Sequence, residues 1–368
     1  MNPFKYGCAV GGEYFCSRPK LESQLRAYIR SGQNVVMQGE RRMGKTSLVL
    51  ETVRKTKGVA LLHVDLLCVR DTADLCRRLS AALARQEKTA GFLEKLVGTL
   101  ARLRPTLTID QTTGTPTLSV DAVAASDIAS LETVLDALLA QTAKRKTCVV
   151  MDEFQDILDM EDGSRILAVL RSRIQLDSNT AYVFLGSIRN RMTDIFWNPD
   201  SPFYHAAAAL PVGGIPEADF LPFLQGRFAT GKRVLKPEIF EEVVRLAQNT
   251  PGYIQELCDT LWEESAPRQV LDRAVVERAL QNVFMREQDH YEIFLRRLTP
   301  LQSRALCALA STAGSGVYSG ASLARAQIHN VASMKRAVER LEKDGLVYSY
   351  EGKLKFYNPF FQEWLTRR

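Results

Sequence analysis

Nine consecutive residues, Gly39-Glu40-Arg41-Arg42-Met43-Gly44-Lys45-Thr46-Ser47, satisfy the spacing G-x-x-x-x-G-K-[ST]. The chemistry of that pattern is phosphate binding. Its glycines let the backbone bend so that successive N–H groups converge on phosphate oxygens, and the following helix adds the positive end of its dipole. Lys45 then reaches the β- and γ-phosphates of a nucleotide, and the Thr46 hydroxyl serves a magnesium ion bridging them. All nine residues are expected to line the nucleotide. A second cluster, Thr147-Cys148-Val149-Val150-Met151-Asp152-Glu153, is an apolar β-branched run ending in two carboxylates. A buried parallel strand delivers Asp152 at its C-terminal edge, where it can hold the magnesium ion. Glu153, which strand alternation turns away from Asp152, is the expected general base for the attacking water. A third run, Ala181-Tyr182-Val183-Phe184-Leu185-Gly186-Ser187, brings Ser187 or Arg189 to the γ-phosphate as a sensor; the same residues can instead cap a helix with solvated charges.

The elements that must position these groups follow from periodicity. Strand-length apolar runs at 34–38, 59–65, 147–153, 181–187 and 206–212 alternate with helical patterns, which predicts a parallel α/β sheet. Asp71 is placed to cap a helix that runs to about Arg85. Residues about 104–122 read as a β-hairpin inserted into this core, with a Thr-Thr-Gly-Thr-Pro turn. From Pro216 the pattern is helical, with starts at Pro216, Pro237 and Gly252. From Leu298, three helical segments and a tight hairpin at 346–357 spell a winged helix-turn-helix, with Gly345 ending its longest helix. The expected division is an α/β core at 1–215, a helical lid at 216–290 and the winged helix at 291–368. Residues 297–368 carry eleven Lys/Arg against five Asp/Glu, equal to the formal charge of +6 for all 368 residues.

Composition narrows the function classes. Hydrophobic content of 46% is ample for two or three cores, no uninterrupted apolar run approaches membrane length, and the N-terminus reads as no secretory signal, so the cytoplasm is the expected location. The seven cysteines, at 8, 16, 68, 76, 148, 258 and 307, form no C-x-x-C pair and are expected to be small buried hydrophobes. The four histidines, at 63, 205, 290 and 329, show no metal or triad spacing and receive no chemistry.

In this order the motifs resemble the archaeal-type ATPases, a P-loop group related to AAA+ and STAND proteins, over nearly the whole chain. The residues carrying the resemblance are Phe15 and Arg18, the loop Gly39–Ser47 with its double arginine, Met151-Asp152-Glu153 and Gly186-Ser187. Ser201-Pro202-Phe203-Tyr204, Pro251-Gly252-Tyr253-Ile254-Gln255 and the tail Asn358–Leu365 complete it. The resemblance implies that Arg18 lies near the nucleotide, that Ser187 or Arg189 is the sensor, and that Pro251 contacts the base side. One departure is Asn249, which stands where the family usually has glycine two residues before that proline.

The expected activity is therefore magnesium-dependent binding and hydrolysis of ATP by a conformational switch coupled to the winged helix. Duplex DNA is one expected partner, through Lys335, Arg336, Arg340 and Lys343, although Glu339, Glu342 and Asp344 dilute that patch. Two alternatives stay open: a STAND-like signalling ATPase whose winged helix binds protein, in another chain or a second copy, and an origin-recognition-type initiator. No membrane partner is expected.

Overall fold

The structure, a computed structural model, describes residues 1–86, 96–109, 116–187, 189–350 and 352–368, and only the backbone of residues 109, 116, 117, 189 and 190. The chain divides into two compact units, Ala9–Gly213 and a second made of Met1–Cys8 with Gly214–Arg368. In the first, strands β1 (Val35–Gln38), β2 (Ala60–Asp65), β5 (Thr147–Asp152), β6 (Thr180–Gly186) and β7 (Ala208–Pro211) form one sheet in the order β2-β5-β6-β1-β7. Every neighbouring pair is parallel. β3 (Thr106–Ile109) and β4 (Pro116–Ser119) pair antiparallel apart from that sheet, while the turn expected between them lies outside the described residues.

Helices cover both faces of the sheet, as crossover connections between parallel strands require. They are α1 (Pro19–Ser31), α2 (Lys45–Arg54), α3 (Thr72–Ala84), α4 (Ile128–Thr142), α5 (Gly163–Ile174) and α6 (Arg189–Phe196). The side-chain period of two divides each strand between two cores. Val36, Val149, Met151, Tyr182 and Phe184 join Leu75, Leu79, Leu131 and Ile166 of α3, α4 and α5. Val35, Met37, Cys148, Val150 and Val183 join Leu25 and Ile29 of α1 and Leu48 and Val49 of α2. The first core closes with Phe154, Phe184, Phe196 and Phe203, fully buried rings packed tilted or edge-on, each contributing about 2–3 kcal/mol by burial. Asp71 caps α3 and Asp127 caps α4 by accepting the N–H groups of Asp74 and Ser130.

In the second unit, α7 (Glu217–Ala229), α8 (Pro237–Leu246) and α9 (Pro251–Glu263) lead into α10 (Arg273–Arg297). The N-terminal residues belong here rather than with the sheet. Arg227 donates to Pro3 O at 2.7 and 3.0 Å, Asn2 Nδ2 to Asp259 Oδ1 at 2.7 Å, and the Phe4 ring lies 4.7 Å from that of Phe228. Asn249 has φ 53 and is preceded by Gln248 at φ 50, so the position where the sequence departs from glycine is left-handed and asparagine meets that demand. The boundary expected at 290/291 falls inside α10, which continues unbroken.

The winged segment consists of α11 (Pro300–Ser311), α12 (Gly320–Ala326), α13 (Val331–Lys343), the antiparallel pair β8 (Val347–Tyr350) and β9 (Lys353–Phe356), and a last helix, α14 (Pro359–Arg367). Thr299 and Gln302 form a reciprocal capping box at the start of α11. After α13, Gly345 adopts φ 70 and Leu346 N–H returns to Leu341 O, the glycine-terminated helix end that the sequence indicates. Among the described residues no helix is long and apolar enough to cross a membrane. Four cysteines are buried as expected, but Cys8, Cys68 and Cys307 are exposed, because residue type alone does not report which side of a loop or helix faces solvent.

Candidate nucleotide site

The loop after β1 turns through two left-handed residues, Arg42 at φ 60 and Gly44 at φ 80, and Gly44 is the N-cap of α2. A residue with a Cβ is strained at such a φ, and the added atom would also sit 3.3 Å from Arg18 Nη2. The turn aims the unpaired N–H groups of the first turn of α2 into the loop. Lys45 is buried and its Nζ donates to Gly39 O and Glu40 O, both at 2.9 Å, so the ammonium folds across the cradle. Burial pulls its pKa down to about 8, against the upward pull of Glu153 and Asp152.

Asp152 ends β5, and its Oδ2 accepts the Thr46 hydroxyl at 2.7 Å across 106 residues of chain. His63 Nε2 stands 3.6 Å from the same oxygen. Burial works to raise the Asp152 pKa, but the nearby His63 imidazole and the Thr46 hydrogen bond outweigh it and hold the carboxyl below its ordinary value. A hydroxyl and a carboxylate converging at hydrogen-bond distance are the hard oxygen donors that magnesium takes. Among the described residues no group of three or more His, Cys, Asp or Glu side chains is placed to hold a metal, so an ion here would draw its other oxygens from phosphate and water.

The strand stops at Asp152, and Glu153 adopts φ 50, ψ 44. Strand alternation therefore does not set the direction of Glu153, as the sequence suggested; a left-handed turn does. Its Oε2 accepts Ser187 Oγ at 2.8 Å and Gln155 Nε2 at 2.7 Å. Ser187 follows β6, which lies between the loop strand β1 and the acidic strand β5, so sheet order delivers it. Arg189 opens α6, but its side chain lies outside the described residues.

Arg18, Ser47 and Met43 each make contacts within the protein. Arg18 is buried, and its guanidinium donates to Gly213 O at 3.0 Å and, over a short contact, to Met43 O. It ties the phosphate loop to the segment after β7, and burial lowers its pKa to about 10. Arg18→Met should leave both carbonyls without that partner and destabilise the protein by about 2–4 kcal/mol in denaturant unfolding, with weaker nucleotide binding as a secondary effect. An unchanged unfolding midpoint with lost affinity would show direct nucleotide contact instead. The buried Ser47 hydroxyl accepts Val10 N–H at 3.0 Å, and the Met43 side chain enters the core with Leu48 and Val49. Arg41 and Arg42 are exposed. Pro251 is the first residue of α9, in the second unit. On α13, Lys335, Arg336, Arg340 and Lys343 are exposed opposite buried Met334, Ala337, Val338 and Leu341, with Arg340 Nε 3.1 Å from Asp344 Oδ2.

Two site residues escaped the sequence reading. His63 carried no motif and reaches Asp152 only because β2 pairs with β5 in a register that sets Val64 against Met151. Gln155 sits two residues past Glu153, and only the turn geometry brings its amide back.

A five-stranded parallel sheet with a phosphate loop after one strand, paired acids after another, and a polar strand tip between them is the P-loop ATPase fold, here followed by a winged helix. The chain is similar to a Walker-type ATPase of Pyrococcus abyssi, with 17% identity, 99% of each chain covered and a TM-score of 0.65. It is also similar to the ORC2 protein of Aeropyrum pernix in ADPNP and ADP complexes, with 13% identity, 95% of this chain and 92% of that one covered, and a TM-score of 0.56. A sequence-family model described as a probable winged helix domain matches residues 289–367. No curated protein matches the chain in sequence.

Proposed function

We propose that the protein is a magnesium-dependent ATPase that acts as a conformational switch, with the state of its nucleotide passed to the lid and winged helix. The 2.7 Å bond from Thr46 Oγ1 to Asp152 Oδ2 carries this reading, because it gathers the two oxygen donors such an ion needs beside a buried lysine. In this reading Lys45 and the loop N–H groups hold the β- and γ-phosphates of ATP, and Thr46 and Asp152 hold Mg2+. The ion supplies positive charge to the phosphate oxygens. Glu153 takes the proton of the attacking water, Ser187 orients Glu153, Arg189 reads the γ-phosphate, and Pro251 of the lid meets the base side. Phosphate release from ATP, measured in Mg2+ and in excess EDTA, tests it: turnover is expected only with the metal, and equal rates in EDTA would remove Thr46 and Asp152 from the reaction.

The exposed basic residues of α13 favour a second reading, in which duplex DNA is the partner. Stimulation of turnover by DNA that fades at higher salt would support it and would keep an origin-recognition-type role open. Turnover indifferent to DNA would favour a protein-facing, STAND-like switch.

A further inference from the structure

Gln155 is only 1% exposed, and its single NH2 group serves two acids. Nε2 donates to Glu153 Oε2 at 2.7 Å and to Asp156 Oδ1 at 2.9 Å, so each of its two N–H bonds has its own carboxylate. Asp156 is fixed in turn, because its Oδ2 accepts the backbone N–H of Cys68 at 2.7 Å, in the segment between β2 and α3. Gly186 makes the room: a Cβ there would come 2.7 Å from Gln155 Oε1 and would also strike the Met192 thioether. The amide is thus held from below by the strand tip, from one side by an anchored aspartate, and turns its remaining N–H to Glu153.

Gln155 and Ser187 donate to the same oxygen of Glu153, Oε2, which assigns the other oxygen, Oε1, to proton transfer. A glutamate has three side-chain torsions, and one that itself sits in a left-handed turn past the strand end has no strand neighbours to limit them. Displacing a reacting group by about 1 Å costs on the order of a hundredfold in rate. A neutral amide orients the carboxylate without weakening it, whereas a lysine or arginine in its place would stabilise the anion strongly and blunt it as a base.

We infer that Gln155 is a positioning residue for Glu153, holding one carboxylate oxygen so that the other meets the attacking water. The inference rests on the reading of Glu153 as general base. It is tested by single-turnover ATP hydrolysis, affinity for a fluorescent ATP analogue and thermal unfolding, in wild type, Gln155→Met, Gln155→Asn, Glu153→Gln and the double variant Glu153→Gln/Gln155→Met. Methionine keeps the length and loses the donors, while asparagine keeps the amide and loses its reach. Both single Gln155 variants are expected to bind the analogue within about twofold of wild type and to hydrolyse about tenfold or more slowly. The double variant is expected to lose nothing beyond Glu153→Gln alone, because Gln155 acts only through that carboxylate. Wild-type rates in both Gln155 variants, or parallel losses of affinity, rate and melting temperature in both, overturn the positioning role while Glu153→Gln still reports on the base. Wild-type turnover by Glu153→Gln itself sinks the base assignment and takes the positioning role with it.

Discussion

Replacing Lys45 by alanine is expected to abolish ATP binding and leave the sheet folded. The ammonium is buried, bonded to Gly39 O and Glu40 O, and pulled down to about pKa 8. Two neutral carbonyls compensate the desolvation of a cation poorly. Phosphate oxygens bring negative charge to it, and charge-assisted bonds to two phosphates are together worth about 3–5 kcal/mol, a loss of a hundredfold or more in affinity. Titration of a fluorescent ATP analogue reads this directly, and circular dichroism with a melting curve shows whether the fold survives. Wild-type affinity in Lys45→Ala would take the lysine out of the phosphate site.

The second large effect is expected at Glu153, where glutamine keeps shape and loses the ability to accept a proton. ATP affinity should persist and single-turnover hydrolysis should fall by about 10²–10⁴, the range a general base supplies. Slow wild-type turnover does not weaken the comparison, since a switch of this kind can need a partner, such as an arginine supplied in trans. Normal hydrolysis by Glu153→Gln would move the base elsewhere, and because the amide is isosteric, lost binding would mark a packing role instead.

What was legible in the sequence is what is written in contiguous residues. The phosphate loop needs its glycines and lysine at fixed local spacing, and each strand and helix announces itself by its own period, so the motifs and the order of elements emerged from the chain alone. What depends on sheet order did not. β6 enters between β1 and β5, and only that insertion brings Ser187 to Glu153 and sets the stage for Gln155. Arg18 finds its partners 25 and 195 residues away, which no spacing rule reaches. The turn at Glu153 is a backbone choice that an acidic residue after a strand does not advertise, so alternation pointed its side chain by the wrong rule. The length of α10 was hidden for a different reason: after the apolar stripe of Val275, Val276, Ala279, Leu280, Val283 and Phe284, the polar run from Arg286 to His290 interrupts it before Tyr291.

That helix has 25 residues, so at ~1.5 Å each it is about 37 Å long. α14 clasps it near both ends: Arg367 bonds Glu277 at 2.6 Å, and the rings of Phe361 and Trp364 lie 4.9 and 5.4 Å from that of Tyr291. Tyr253 of α9 adds a third strut, donating to Tyr357 O at 2.8 Å. A body built on such a rod transmits torque instead of absorbing it. Turning one end through about 10° sweeps the other through roughly 6 Å, further than a hydrogen bond or an ion pair can stretch. The second unit is therefore geared: about 10° at its base suffices to make or break a whole set of contacts at its tip, with no element inside it changing shape.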